Sequence, residues 1–198
     1  MATFDLTARY AQSATVRPGK RWVVHHSGRD ELGTTMGAEI AHLDALNRYH
    51  RDDRGWRVGI GYHVVVFPSG RSYRVGTQGT TRAHVAGLND KFDGLCFVGN
   101  FENDERPSDA ALAEAARVIK DSCMAVAGGH REFVTTTCPG NWDLALLDGL
   151  SAPLTVADLG TLWRAFAPGL PRMLRPNGVT QTPKARRNGH RVIEVELP

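Results

Sequence analysis

The sequence predicts a mixed α/β fold: a central, mostly β sheet of about five to six strands flanked by helices, with a basic C-terminal extension. Two observations lead there. Short apolar, β-branched runs alternate with stretches of helical periodicity through the first 170 or so residues. The composition, 41% hydrophobic and 23% charged over 198 residues, is that of a globular domain and excludes wholesale disorder.

The elements follow in order. Pro18-Gly19 breaks the chain before Arg21–His25, a short apolar strand. Thr34 and Thr35 suit a helix start, and Ile40, Leu43, Leu46 and Tyr49/His50 recur at helical spacing, so a helix is expected over about 35–51, ended by Arg54-Gly55. Gly61–Phe67 is rich in β-branched residues, and Pro68-Ser69-Gly70 turns it into Arg71–Val75, a hairpin. Leu95–Val98 reads as a buried strand. Ser108 can cap a long helix whose Leu112, Ala115/Ala116, Ile119, Cys123 and Val126 share a face, with Gly128-Gly129 as its stop. A loop from His130 to Gly140 follows, then helices at about 142–149 and 155–166.

The expected division is a domain at 1–167 and an extension at 168–198. Pro168, Pro171, Pro176 and Pro183 punctuate the extension, and Asn188-Gly189 suits a hairpin turn before the strand-like His190–Leu197. Arg172, Arg175, Lys184, Arg186, Arg187 and Arg191 against Glu194 and Glu196 give it +4; with the whole chain at +3, residues 1–167 carry −1. Such a tail attracts polyanions, among them the anionic polymers of a cell wall, or is simply a solvated end. No aromatic interleaving or nucleic-acid-binding signature accompanies it, so no nucleic-acid partner is expected. No run approaches the roughly 18 apolar residues of a membrane span, so membrane insertion is not expected. The first twenty residues lack the apolar core of a secretory signal, which places the expected protein in the cytoplasm. Three cysteines make no disulfide framework.

Eight histidines need context. His25 ends a buried-type strand, where a side chain can emerge on a rigid support. His130 and Cys138 share one Gly/Pro-bounded loop with seven residues between them, short enough to bring both side chains to one ion. Two imidazoles and a thiolate suit Zn2+, and three protein ligands leave a fourth position open, as in catalytic sites. Spacing alone leaves the alternative that these are strand-end polar residues and a small buried cysteine.

Five local motifs occur in register: VVHHS (23–27), the YH…RGW…GIGYH stretch (49–63), AH-x-x-GLN (83–89), LCFVGNF (95–101) and GHRE-x5-CPG (129–140). Together, over about residues 20–150, they closely resemble the type 2 N-acetylmuramoyl-L-alanine amidases, a superfamily that includes peptidoglycan recognition proteins and phage lytic amidases. The resemblance implies metal ligands at His25, His130 and Cys138. It favours His25 over His26, in agreement with strand alternation, which lets only one of two neighbours face the metal. It implies catalytic roles for Tyr62 and for Thr136, which stands where the superfamily has lysine or threonine, and a substrate-lining segment at Arg82, His84 and Asn89. His63 and Trp56 read as structural, Cys96 and Cys123 as buried small residues.

The implied activity is hydrolysis of the lactyl amide between N-acetylmuramic acid and L-alanine in bacterial peptidoglycan, with a phage or prophage endolysin as the expected role. Such an enzyme would reach the wall only through a membrane lesion. The alternatives are a cytosolic muropeptide-recycling amidase and a non-lytic recognition module; the presence of Cys138 argues against the latter.

Overall fold

The computed structural model describes residues 3–147 apart from 11, 14, 17–20, 30–32 and 104. The expected helices at 142–149 and 155–166, the 1–167/168–198 boundary and the tail hairpin lie partly or wholly outside them. The described residues belong to one compact unit, Met1–Ala152.

Six strands form one sheet: β1 (Thr3–Asp5), β2 (Arg21–His26), β3 (Val64–Val66), β4 (Ser72–Arg74), β5 (Asp93–Phe97) and β6 (Ala125–Gly129). Their order is β1-β4-β3-β5-β2-β6, and every neighbouring pair is parallel except the β3–β4 hairpin. Parallel strands need both faces covered, which explains the unbroken burial of β3 and β5 and of β2 beyond Arg21. Helix α2 (Asp109–Ser122) packs Leu112, Ala115 and Ile119 against Trp22, Val24, Leu95 and Phe97 on one face. Helix α1 (Met36–Arg48) packs Leu43, Ile40 and Leu46 against Val65, Cys96 and Phe67 on the other. Removing a buried leucine such as Leu43 to alanine costs about 2–5 kcal/mol.

Both helices start on the hydroxyl caps expected of them: Thr35 accepts from the Ala38 amide (3.2 Å) and Ser108 from the Ala111 amide (3.1 Å). Helix α1 runs on into one π-helical turn, Tyr49–Asp53. Its one buried carboxylate, Glu39, is bonded by Ser69 Oγ (2.5 Å), Arg71 Nε (2.6 Å) and the Tyr73 hydroxyl (2.6 Å), which ties α1 to the β3–β4 hairpin.

Four expectations need correction. The long helix stops at Ser122, because Cys123 takes a left-handed conformation (φ 54). Cys123 is therefore exposed, not a buried helix-face residue. Residues 125–129 then form an edge strand beside β2, where Gly128-Gly129 continues the pairing against Val23 and Val24 and does not end a helix. Tyr62 and His63 precede β3 instead of lying in it. The short β1 carried no sequence signal; it is held by register with Ser72–Arg74.

Candidate metal centre

His25 sits next to last in β2. Trp22 and Val24 point into the α2-side core, so alternation turns His25 to the α1 side, where its ring lies 5.1 Å from that of Tyr62. His26 faces the other way and stays buried. Its Nδ1 accepts from the Phe101 amide (3.4 Å), and its ring lies 6.2 Å from that of Phe101.

The second and third donors come from the chain after β6. Pairing of β6 with β2 ends at Val24↔Gly129, and a 3-10 turn, His130–Glu132, carries the chain over the end of β2. Glu132 anchors that turn by accepting from the Gly129 amide (2.9 Å). Arg131 closes the loop: its amide donates to the Cys138 carbonyl (2.8 Å) and its guanidinium to the Gly140 carbonyl. Gly140 has φ 98 and lies against the Phe101 carbonyl, a place with no room for a Cβ. Ligand atoms of His25, His130 and Cys138 thus lie within 4.8 Å of one another, with Cys138 Sγ 3.8 Å from His25 Nδ1. Among the described residues this is the one group of three such side chains.

The electrostatics suit a cation waiting for its ligands to lose a proton. Burial, then the neighbouring His84 and His130, hold His25 well below its ordinary pKa of 6.5. Burial also lowers His130. Both imidazoles are therefore neutral near pH 7 and can offer lone pairs. Burial pushes the Cys138 thiol up to about 11, against the opposing pull of the His26 amide, which donates to its sulfur (3.3 Å). Two neutral nitrogens and one sulfur, clustered and largely buried, fit zinc.

Tyr62 borders this triad and also a cavity of about 790 Å³, whose wall includes His50, Trp56, Tyr49, Arg29 and Arg54. Burial, then the Cys96 and Cys138 thiols, raise the Tyr62 phenol well above 10, so it remains a donor. His50 accepts from the Gly61 amide through Nδ1 (3.1 Å) and stacks near Trp56 at 4.5 Å between centroids. Trp56 is thus both packed, as expected, and part of the cavity wall. Arg29 lies over Tyr49 and Arg54 over Trp56, at 5.5 and 5.6 Å from the ring centroids.

The remaining residues implied by the resemblance are placed as follows. Thr136 is exposed, and its hydroxyl accepts from the Cys138 amide (3.3 Å). Arg82 is 1% exposed and points inward to the Ile60 and Val75 carbonyls. His84 is 6% exposed, with Nδ1 3.1 Å from His25 Nε2 and Nε2 3.0 Å from the Phe92 carbonyl. Asn89 accepts from the His84 and Val85 amides (2.8 Å each). His63 is structural, as expected: it lies 3.1 Å from buried Asp93 and accepts from the Gly94 amide (2.9 Å).

Sequence reasoning missed three contributors. Glu102 accepts from the Thr137 hydroxyl (2.5 Å) and faces His26, bracing the cysteine loop from outside. Arg131 sits inside the GHRE motif but shows its role only once the loop is closed. His50 belongs to a quoted motif, and nothing in its spacing told of the Gly61 amide.

With this geometry established, comparison with known proteins is specific. A profile of N-acetylmuramoyl-L-alanine amidases matches residues 15–141. A mouse protein named N-acetylmuramoyl-L-alanine amidase is 36% identical over 117 residues, 54% of this chain and 22% of its own length. Peptidoglycan-recognition protein SC2 of Drosophila melanogaster is 30% identical over 125 residues, 60% of this chain and 66% of its own. The chain thus spans about a fifth of the one relative and just under two thirds of the other. Among solved structures, bumblebee peptidoglycan recognition protein SA superposes with a TM-score of 0.61 at 26% identity, covering 71% of this chain and 89% of that one. The six-stranded mixed sheet, the cluster of His25, His130 and Cys138 at the end of β2 and the match over 15–141 agree, and the chain belongs to the type 2 N-acetylmuramoyl-L-alanine amidase family.

Proposed function

We propose that the protein is a zinc-dependent N-acetylmuramoyl-L-alanine amidase that cleaves the lactyl amide of bacterial peptidoglycan. The observation that carries this reading is the convergence of His25, His130 and Cys138 beside a cavity bordered by Tyr62. The presence of Cys138 as the third clustered donor argues against a module that only binds the wall.

When bound, zinc supplies Lewis acidity, polarising a carbonyl and making water a stronger nucleophile near neutral pH. The chain's own residues do the rest. His25, His130 and Cys138 would hold the ion. Tyr62, protonated at all physiological pH, donates toward the oxygen that gains charge as the amide carbonyl becomes tetrahedral. Thr136 keeps its oxygen on the Cys138 amide, and its hydroxyl proton is what it can offer from the loop rim. The cavity walled by Trp56, Tyr49 and His50 gives apolar ring faces to the substrate, and Arg29 and Arg54 favour anionic groups on it.

The finer reading is a wall-lytic enzyme of phage or prophage type, supported by the +4 stretch at 168–198, which suits the polyanionic polymers of a wall. The deciding experiment is metal analysis of purified protein combined with mass spectrometry of digested sacculi. Zinc near one per chain and release of stem peptides at L-alanine are expected, abolished by a chelator and by Cys138→Ala. Unchanged lysis by Cys138→Ala overturns the zinc mechanism; binding of sacculi without stem-peptide release favours a recognition module. Activity confined to soluble fragments would indicate a recycling enzyme.

A further inference from the structure

We propose that His84 is a positioning residue that sets the proton on His25 and so turns the His25 Nδ1 lone pair toward the metal. The proposal rests on the zinc reading above and deepens it.

The Phe92 carbonyl can only accept, so His84 Nε2, 3.0 Å away, carries a proton. In a neutral His84 the other nitrogen, Nδ1, is then an acceptor. The atom facing it at 3.1 Å is His25 Nε2, which must donate. That places the His25 proton on Nε2 and leaves Nδ1 bare. Nδ1 is the nitrogen that faces Cys138 Sγ, at 3.8 Å. A carbonyl at one end of the chain thereby dictates which ring nitrogen is a ligand at the other. Histidine ligands are commonly oriented in this way by an acceptor on their second nitrogen.

The surroundings of His84 hold it to that task. Asn89 Oδ1 accepts from both the His84 and Val85 amides (2.8 Å each), which fixes the backbone. The ring lies over Gly94 of β5, where an added Cβ would stand 3.0–3.3 Å from its atoms. Its edge meets the Phe92 carbonyl. Backbone, ring face and ring edge are each constrained by a different segment, and the side chain is almost fully buried. The AH-x-x-GLN motif then has a physical meaning: the histidine orients the ligand and the asparagine orients the histidine.

Two measurements test this. In metal-free protein with 15N-labelled histidine, long-range proton–nitrogen correlation should show the His25 proton on Nε2; a proton on Nδ1 overturns the proposal. Zinc affinity, measured by competition with a chromophoric chelator, should fall about 10- to 100-fold in His84→Phe. It should return to within a few-fold of the parent in His84→Asn, whose Oδ1 restores an acceptor near the place of Nδ1. Parent-like affinity in His84→Phe overturns the proposal, as does an equal loss in both variants. Should His84→Phe fail to fold, His84→Asn and the parent spectrum still decide. A parent that binds no zinc defeats the metal reading itself, while the His25 proton position continues to test the relay.

Discussion

The backbone amide of His26 donates to the Cys138 sulfur across 3.3 Å, though 112 residues separate them. The next residue back, His25, offers its side chain to the same site. One strand end therefore supplies an imidazole from one residue and an N–H to the thiol from the next. This is possible because β6 leaves β2 after Val24, freeing the β2 edge for the cysteine loop to cross. The N–H favours the thiolate, burial opposes it more strongly, and the thiol rests at about 11.

Zinc affinity should consequently rise with pH. Below about 11 the Cys138 thiol is protonated, so each metal bound releases one proton and apparent affinity climbs roughly tenfold per pH unit. His25 and His130 are already neutral above pH 7 and add nothing to that slope. Competition titrations at pH 7 and pH 8 measure it, and a flat profile would count against a thiolate ligand.

Tyr62→Phe removes a donor that never ionises near neutrality. A fall in kcat of about 100- to 1000-fold is expected, with zinc affinity within twofold of the parent. Parent-like turnover on sacculi would remove Tyr62 from the mechanism.

Arg82→Met should destabilise the fold by about 1–3 kcal/mol, because the buried Ile60 carbonyl loses a donor. Ile60 lies two residues before Tyr62, so kcat should drop as well. Urea unfolding and turnover, measured side by side, check both; unaltered stability would show that the inward guanidinium is dispensable.

Acid should weaken the protein through His50. Its pKa is about 4 when folded and about 6.5 when unfolded, burial being the largest cause. As pH falls below 6.5 the unfolded chain takes up a proton that the folded one refuses, so stability is present above 6.5 and drains away toward 4. The loss between pH 7 and pH 5 is about 2 kcal/mol. Denaturant titrations at those two values should show a smaller difference in His50→Gln than in the parent.

The site residues were legible through the motifs that carry the resemblance, and some of their local settings follow from physics that acts over a few residues. Strand alternation separates His25 from His26 without knowledge of the rest of the chain. Hydroxyl caps at Thr35 and Ser108 act within one helical turn. The inward direction of Arg82 is not legible, because a polar residue in a loop gives no sign of which way it points, and only the buried carbonyls of Ile60 and Val75 decide that. A glycine pair such as Gly128-Gly129 suits a helix stop locally, but the edge of β2 recruits it as a strand instead.

Periodicity carries the mixed α/β class in the sequence, and the five motifs in register carry the family and, through that resemblance, the three implied donors. Tertiary structure alone decided that the donors meet within 4.8 Å, that the His26 amide reaches Cys138, and that His84 faces the far nitrogen of His25. The contacts of His25 and His26 with His84 and Cys138 join residues 59 to 113 apart in the chain, and only the packing of β2 between β5 and β6 brings them together.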